Sequence, residues 1–304
     1  MSRVTKLSQF TGQPDVERLI GFHVEACRKS GSVFPHGLFF GPPGLGKTTL
    51  AGVIAGELGV RLHYCHGASL REQEDIIGIL RPVKAGDILF IDEVHAMPRS
   101  MLERLYTVLE DRVIDLVIGS NGYAVSRRVK LPEFTVLSAT TSSGLVPKPF
   151  RDRCPVSVFF DFYSEDGLAN AIRHMPGSDM FDDEAVRKIA SVSRGTPRVA
   201  KSILDTALKS MTAFGKSPMD AVLEAMSVMG IRPDGLNRQD MKYLKTLCNI
   251  FSGGPAGLTS IATAIGEDKE TVEYVIEPYL VRIGYVVRTS RGRILGSNFK
   301  GELQ

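Results

Sequence analysis

Residues Gly41–Thr49 (GPPGLGKTT) combine the residue types and the spacing with which proteins bind nucleotide phosphates. The apolar run Gly37–Phe40 precedes them and a stretch with helical character follows, so a glycine-rich turn joins a predicted strand to a predicted helix. Such a turn points successive backbone N–H groups into one concavity at the positive end of the helix dipole. Lys47 would reach the β- and γ-phosphate oxygens, and the Thr48 hydroxyl would ligate Mg²⁺. The alternative is an ordinary glycine-rich turn, and the strand, the spacing, the lysine and the threonine together count against it.

A second element predicts the groups that would act on a bound nucleotide. The run Asp87–Glu93 predicts a buried strand that ends in two carboxylates, Asp92 and Glu93. In a parallel sheet the carboxyl end of this strand comes level with the phosphate loop. Asp92 could then hold Mg²⁺ through its water shell, and Glu93 could polarise an attacking water. The alternative is a strand that ends in solvated acids, whereas the two motifs together indicate hydrolysis of a nucleoside triphosphate by in-line attack of water.

Further hydroxyls and arginines follow along the chain. Phe134–Thr141 predicts another buried strand, and its terminal hydroxyls are placed to sense a γ-phosphate. Arginines lie in Pro149–Cys154 and in Gly195–Arg198, where Pro197 stands near the start of a predicted helix. One guanidinium supplied by a neighbouring subunit would stabilise transition-state charge. Spacing does not establish this role, because arginines on loops are usually solvated.

These motifs, in this order, carry a family resemblance. The chain resembles the AAA+ ATPases, and within them the RuvB family, the motors of Holliday-junction branch migration, in the segments GPPGLGKTT, LFIDEVH, LSATT, FRDRC and GTPR. Thr11–Pro14 resembles the family's N-terminal element, and GGPAGL, IEPYL and RTSRGR resemble its C-terminal winged-helix domain. The resemblance spans essentially the whole chain.

The resemblance implies ATP and Mg²⁺ as cofactors and assigns roles to individual residues. It implies that the phosphates lie against Gly41, Pro42, Pro43, Gly44, Leu45, Gly46, Lys47, Thr48 and Thr49, with Thr48 and Asp92 on the metal. It implies these further roles: Asp92 and Glu93 as the Walker B pair, Thr141 as sensor 1, Arg153 as the arginine finger acting in trans, Arg198 as sensor 2, and Arg3, Phe10 and Tyr163 around the base and ribose.

Several segments depart from the family pattern. The family's RP near the start is Arg3-Val4, its ATTRAG reads ATTSSG, and the segment Tyr64–Arg81 diverges. The stretch near 113–131 resembles the presensor hairpin that docks on a RuvA-type junction-binding protein, although its tip, Ser120–Val125, differs. These departures are typical of a distant or mobile-element member.

The expected fold class is α/β, with three domains. Residues 1–163 read as an AAA+ ATPase core with a parallel sheet and a hairpin turning at Asn121-Gly122, residues 164–232 as a small helical lid, and residues 236–304 as a winged helix. In the last, Leu258–Ile265 and Glu270–Leu280 would form a helix-turn-helix pair, and strands on either side of Ser290–Gly292 would form the wing.

The wing predicts contact with DNA independently of the family. Between Arg282 and Lys300 it carries arginines and no acid, and a glycine-tipped basic hairpin suits phosphate contact. We predict DNA binding by Arg288, Arg291 and Arg293, tolerant of sequence and sensitive to salt. A solvated basic hairpin is the alternative.

Composition limits the class of protein. The 304 residues are 43% hydrophobic and 23% charged, with a net charge of +3, which is too small to indicate nucleic-acid binding. We expect no secretory signal and no membrane span. The four cysteines are dispersed along the chain, as expected for reduced thiols in the cytoplasm. A metal site at His63, Cys65 and His66 is disfavoured, since His63–Cys65 looks like strand alternation and the sequence has no second pair of ligands.

The expected function is therefore an ATP-dependent DNA translocase that drives branch migration of four-way junctions as a homo-oligomeric, hexameric ring. Two alternatives remain. A clamp or helicase loader would share the ATPase core, but it would end in a helical collar. A DNA-binding regulator that uses ATP as a switch would not need the water-polarising Glu93.

Overall fold

The computed structural model describes residue 4, residues 6–118 and residues 125–300. The predicted base contact Arg3 and the predicted turn at Asn121-Gly122 lie outside the described residues. The chain forms two compact units, which are described separately. One comprises the residues up to Ser178 together with Thr196–Arg198, and the other comprises Asp179–Gly195 and the chain from Val199 onward. The three domain boundaries remain predictions.

The first unit is an α/β unit with one central sheet. Its helices are α1 (Pro14–Ser30), α2 (Lys47–Leu58), α3 (Gln73–Leu80), α4 (Arg99–Asp111), α5 (Lys148–Asp152) and α6 (Glu165–Arg173). Its strands are β1 (Gly37–Phe40), β2 (Leu62–His66), β3 (Ile88–Asp92), β4 (Val113–Ile118), β5 (Val125–Lys130), β6 (Thr135–Thr140) and β7 (Val156–Phe159). Five strands run parallel in the order β2-β3-β6-β1-β7, and β4 and β5 pair as a separate antiparallel hairpin.

Burial explains why β3, β6 and β1 form the middle of the sheet. All six residues of β6 are buried, and so are Ile88–Ile91 of β3 and Gly37–Phe39 of β1. Near-continuous apolar runs of this kind are typical of parallel strands covered on both faces. All three strands end at the same edge of the sheet, so the segments that follow Phe40, Asp92 and Thr140 meet there.

The second unit combines helices with a small hairpin. Its helices are α7 (Asp183–Val192), α8 (Pro197–Phe214, from Val199), α9 (Pro218–Met229), α10 (Arg238–Asn249), α11 (Leu258–Ile265), α12 (Lys269–Thr271) and α13 (Glu277–Arg282), with a π-helical turn, Val272–Ile276, between the last two. The strands β8 (Val286–Thr289) and β9 (Gly292–Leu295) pair antiparallel. A cluster that includes Tyr243, Leu247, Ile261 and Leu280 forms the core of the winged helix.

Arg194 joins two parts of the second unit. It follows α7 with a φ of 57°, in the left-handed region that is uncommon for residues other than glycine. Its Nε donates to the carbonyl of Gly235 at 2.9 Å, and its guanidinium pairs with Asp240, which is 0% exposed. The guanidinium also lies 4.8 Å from the ring centroid of Tyr279. The segment that precedes Gly195–Arg198 is therefore fixed to the start of α10 and to α13.

Replacing Arg194 with Met is expected to destabilise the second unit by about 3 kcal/mol, because Asp240 would be left as a buried, unpaired carboxylate. Urea unfolding followed by circular dichroism measures the change. The matched control is Lys201→Met, which breaks the exposed pair of Lys201 with Asp205 (side chains 47% and 45% exposed) and should cost at most about 1 kcal/mol. Equal stability of the two variants would contradict a stabilising role for the buried pair.

Candidate nucleotide-binding site

The loop between β1 and α2 has a backbone conformation that requires glycine. Gly41, Gly44 and Gly46 have φ values of 141°, 80° and 103°. A Cβ atom added to Gly41 would lie 2.3 Å from the carbonyl oxygen of Phe160, so this position also lacks the space for a side chain. The glycines of the motif are therefore set by sterics, and they leave backbone N–H groups at the start of α2 for an anion.

Lys47 brings a positive charge to this loop. The residue is 6% exposed, and its Nζ donates to the carbonyl oxygens of Gly41 at 2.7 Å and Pro42 at 2.9 Å. Burial lowers its pKa, whereas the nearby charges of Glu93 and Asp92 raise it. The ammonium is thus held at the loop by neutral acceptors that a phosphate can replace, and the buried cation fits the predicted nucleotide.

Among the remaining residues of the loop, one is buried and three are exposed to solvent. Leu45 is 0% exposed and anchors the loop in the core, while Pro43, Thr48 and Thr49 are exposed at the loop and at the first turn of α2. An exposed Thr48 hydroxyl and the Asp92 carboxylate are the oxygen ligands that Mg²⁺ prefers. These two residues therefore fit the predicted metal, and their roles remain predictions.

Asp92 and Glu93 differ in their surroundings, although they are neighbours at the end of β3. The Asp92 Oδ1 accepts from the backbone N–H of Glu93 at 3.1 Å, and its Oδ2 accepts from the hydroxyl of Tyr64 at 3.2 Å. Glu93 itself has a φ of 49° and a ψ of 54°. This left-handed conformation is rare for residues other than glycine, and it recurs at functional sites. The two carboxylates have different hydrogen-bond partners, so each one can have its own role.

The end of β6 holds the Glu93 carboxylate. Glu93 Oε2 accepts from both the backbone N–H and the hydroxyl of Thr141, each at 3.0 Å. His95 Nδ1 lies 3.2 Å from the same oxygen and 2.9 Å from Thr140 Oγ1. The structure therefore brings together Glu93 and Thr141, and it adds His95 and Thr140, which the sequence did not single out.

Arg198 lies against the phosphate loop. Its backbone N–H donates to the carbonyl of Gly44 at 3.3 Å, and a Cβ atom on Gly44 would lie 3.0 Å from the Cβ of Arg198. The Arg198 charge lowers the pKa of Lys47. The sequence-predicted sensor is thus within electrostatic range of the lysine that would bind the phosphates.

Two aromatic residues predicted to border the base pack behind the loop. Phe10 is 4% exposed and Tyr163 is 7% exposed, and the Tyr163 hydroxyl donates to the carbonyl of Leu45 at 3.3 Å. A Cβ atom on Gly46 would lie 3.3 Å from the Phe10 ring. Burial raises the pKa of Tyr163. Their role at the base stays a prediction, because the contacts that the structure gives them are with the protein.

Arg153 contacts residues of its own unit on α4 and α5. Its Nε donates to Glu110 Oε2 at 2.9 Å, its Nη1 donates to the carbonyl of Pro149 at 2.8 Å, and its guanidinium lies 5.0 Å from the ring centroid of Tyr106. These contacts are compatible with a finger that acts on a neighbouring subunit, and that role remains a prediction.

The wing arginines have different partners. Arg288 and Arg293 donate through their Nε atoms to Glu277 at 2.8 and 2.9 Å, and the Glu277 carboxylate, 0% exposed, also accepts from Tyr243 at 3.0 Å. Both arginines thus hold the wing on α13 through one buried carboxylate, and the Arg288 side chain is still 41% exposed. Arg291 is exposed at the wing tip. The DNA contacts expected of Arg288, Arg291 and Arg293 remain predictions.

Two of the residues considered as metal ligands on β2, His63 and Cys65, have partners within the protein. His63 Nε2 bonds to Asp87 Oδ2 at 2.8 Å, and the buried Cys65 thiol donates to the carbonyl of Phe90 at 3.7 Å. Burial raises the pKa of Cys65 to about 12. Among the residues that the structure describes, no group of three or more His, Cys, Asp or Glu residues could hold a metal ion. In that part of the chain no helix is both long and apolar enough to cross a bilayer.

A parallel five-stranded sheet with a phosphate loop after β1, two carboxylates after β3 and a threonine after β6 defines a P-loop ATPase of the AAA+ class. Residues 2–159 match the family model described as the Holliday junction DNA helicase RuvB P-loop domain. Residues 233–299 match the RuvB C-terminal winged helix domain. The chain belongs to the RuvB family.

Individual relatives agree with this assignment. The RuvB subunit of the Holliday junction branch migration complex from Kosmotoga olearia is 40% identical over 296 residues, which is 96% of this chain and 86% of that protein. Its counterpart from Limosilactobacillus reuteri is 37% identical and covers 96% of this chain and 88% of its own length. The solved Thermotoga maritima RuvB Holliday junction branch migration motor superposes with a TM-score of 0.84 at 37% identity, covering 97% of this chain and 95% of that one.

Proposed function

We propose that this chain is an ATP-hydrolysing motor that moves four-way DNA junctions, the process named in its RuvB relatives. The observation that supports it is the meeting of Lys47, Asp92, Glu93 and Thr141 at one edge of the sheet, with Arg198 against the same loop. Each of these groups has a separate task in phosphoryl transfer to water.

In this proposal the residues of the chain bind, orient and polarise. Lys47 exchanges its two carbonyl acceptors for phosphate oxygens, and the loop N–H groups hold the same phosphates. Thr48 and Asp92 would hold Mg²⁺, which neutralises developing negative charge on the phosphates when bound. Glu93 orients and polarises the attacking water, with its carboxylate fixed by Thr141. Such acid–base assistance contributes about 10²- to 10⁴-fold to rate.

We propose further that the active assembly is a homo-oligomeric ring, a hexamer, in the cytoplasm. Arg153 would complete the nucleotide site of the next subunit. Its contacts within its own unit are with Glu110, Pro149 and Tyr106 of α4 and α5. A RuvA-type junction-binding protein would dock on the hairpin of β4 and β5. The winged helix would contact DNA through the tip of its wing, without regard to sequence.

Two other functions are less well supported. A clamp or helicase loader would share the first unit, but the match of residues 233–299 to a winged helix is unlike a helical collar. An ATP-switched regulator would bind ATP and DNA with negligible turnover, and such a protein would not need Glu93 held between Thr141 and His95.

ATP turnover measured with no DNA, with linear duplex and with a four-way junction tests the proposal, each with and without a RuvA-type protein. We expect stimulation by DNA, and junction unwinding when the partner is added. Turnover that ignores every DNA and partner would favour a loader or a switch. The same assay with Lys47→Ala reports background hydrolysis by contaminants.

Arg291→Glu is expected to weaken DNA binding and to lower the slope of log affinity against log salt by roughly one, because one phosphate contact is lost. Fluorescence anisotropy with labelled duplex at several salt concentrations measures both quantities. The matched control is Lys300→Glu, an exposed basic residue outside the wing strands. Arg293→Glu is unsuitable, since it would place a second acid beside the buried Glu277 and damage the fold. Unchanged affinity in Arg291→Glu would remove the wing tip from the DNA contact.

A further inference from the structure

We infer that His95 is a positioning residue for hydrolysis: its imidazole fixes the Glu93 carboxylate against the end of β6. The inference rests on the proposed function of this site, since it concerns the group that would polarise water. It adds the last residue of the LFIDEVH segment, which has no predicted contact with ATP or Mg²⁺.

The contacts define what His95 does. It lies in the short 3₁₀ turn Val94–Ala96, directly after Glu93. Its Nδ1 is 2.9 Å from Thr140 Oγ1 and 3.2 Å from Glu93 Oε2, and the two side chains of His95 and Glu93 are 21% and 24% exposed. Thr140 is 0% exposed and belongs to the central strand β6. The imidazole therefore lies between a partly exposed carboxylate and a fully buried residue of the central strand.

The chemistry of His95, Glu93 and Thr140 indicates which ring nitrogen of the histidine carries a hydrogen. An ionised carboxylate has no hydrogen to give, so Nδ1, which lies 3.2 Å from Glu93 Oε2, is expected to carry one, and its hydrogen bond is with Thr140 Oγ1 at 2.9 Å. Thr140 Oγ1 already accepts from the backbone N–H of Ser142 at 3.0 Å, which holds this hydroxyl in place beside the ring. With Nδ1 as the donor, the imidazole is held in one tautomer.

The donors all converge on one oxygen of Glu93. Oε2 accepts from the N–H and the hydroxyl of Thr141 and has the imidazole Nδ1 at 3.2 Å, so Oε1 is the oxygen that this arrangement leaves for a water. The backbone also helps to orient the Glu93 carboxylate, because Glu93 is in the left-handed region and its carbonyl accepts from Ala96 N–H at 2.9 Å. A Cβ atom on Gly67 would lie 2.3 Å from that carbonyl oxygen, so the segment that directly follows β2 packs closely against the backbone of Glu93.

Loss of the imidazole contact should affect the chemical step and leave nucleotide affinity intact. Lys47 and the loop would still hold the phosphates, whereas Glu93 would lose one of the contacts that orient its carboxylate. Misplacement of a reacting group by about 1 Å can cost on the order of 10²-fold in rate. We therefore expect a fall in kcat of roughly 10- to 100-fold with KM for ATP within about twofold of the original.

Three substitutions separate positioning from a general structural role. His95→Asn keeps an N–H near the place of Nδ1, His95→Gln moves its amide toward the place of Nε2, and His95→Ala removes both. We expect Asn to retain kcat within about threefold, and Gln and Ala to show the full loss. His174→Ala, an exposed histidine at the end of α6, is the matched control and should turn over ATP normally.

Binding and a second site provide independent readouts. The Kd of a fluorescent ATP analogue should be unchanged in all three variants, and Thr140→Val should lower kcat while Thr140→Ser restores it. In a Glu93→Gln background, His95→Ala should cause no further loss, because there is then no base to position. Thermal unfolding confirms that each variant is folded at the assay temperature.

The outcomes distinguish the inference from the proposed function. Full turnover in His95→Ala, equal effects of Asn and Gln, or a matching loss of nucleotide affinity would overturn the positioning role. A chain that does not hydrolyse ATP, or one in which Glu93→Gln turns over normally, would instead overturn the proposed function. We expect the kcat of His95→Asn to be close to that of the original protein, and the kcat of His95→Gln and of His95→Ala to be low.

Discussion

Glu93→Gln is expected to bind ATP as tightly as the original protein and to hydrolyse it roughly 10²- to 10⁴-fold more slowly. The amide has the shape of the carboxylate, and its oxygen can still accept from the N–H and the hydroxyl of Thr141, which lie 3.0 Å from Oε2. The geometry of the site is therefore kept, while the negative charge that we propose polarises water is removed. Single-turnover hydrolysis and analogue binding measure the two quantities separately.

The control for this prediction is Glu103→Gln on α4. That glutamate is exposed and pairs with Arg99 at 3.1 Å, so its replacement removes a charge of the same sign at a distance from the loop. Its kcat should stay within about twofold, as expected for an exposed ion pair worth little. Normal turnover in Glu93→Gln would mean that another group polarises the water.

The phosphate loop could be predicted from the sequence because its requirements are local. A strand, a glycine-rich turn and a helix follow one another, and β1 and α2 have nearly the predicted bounds, Gly37–Phe40 and Lys47–Leu58. The strand predicted at 134–141 is β6, Thr135–Thr140. In each of these segments, apolar spacing, glycine or proline specifies the element without reference to a distant part of the chain.

The contacts of Glu93 could not be predicted in the same way. Thr141 and His95 come from the ends of different strands, and the hairpin of β4 and β5 lies between them in the sequence. Their meeting depends on the order of strands in the sheet, in which β3 and β6 are neighbours. The sequence did contain one indication of this cluster, the histidine three residues after Asp92. This histidine has a specific partner only once the sheet is formed.

The wing shows a different reason for an incomplete prediction. Counting basic residues identified Arg288, Arg291 and Arg293, but it did not consider the acid that two of them would meet. Glu277 stands in the apolar run VIEPYL, and a single carboxylate among core residues requires a cation partner. The helix predicted at 270–280 is also interrupted by the π-helical turn Val272–Ile276, which directly precedes Glu277.

Arg153→Ala is expected to reduce ATP turnover of the assembled ring by roughly 10³- to 10⁵-fold, the amount that a trans-acting arginine contributes in phosphoryl transfer. Within its own subunit the guanidinium pairs with Glu110, whose side chain is 59% exposed, and such exposed pairs contribute little to stability. The variant should therefore fold and assemble. Arg151→Ala, an exposed arginine on α5 two residues before Arg153, is the matched control and should retain turnover.

Mixing two inactive variants tests whether Arg153 acts on a neighbour. Arg153→Ala keeps a complete Glu93 site but supplies no arginine, whereas Glu93→Gln supplies the arginine from a subunit that cannot hydrolyse. In randomly mixed rings at equal amounts, about a quarter of the interfaces join a working site to a working arginine, so turnover should return toward that fraction. A finger that acted within its own subunit would leave every mixture inactive, because neither variant then carries both groups. Recovery on mixing thus requires that the nucleotide site be shared between two copies of the chain.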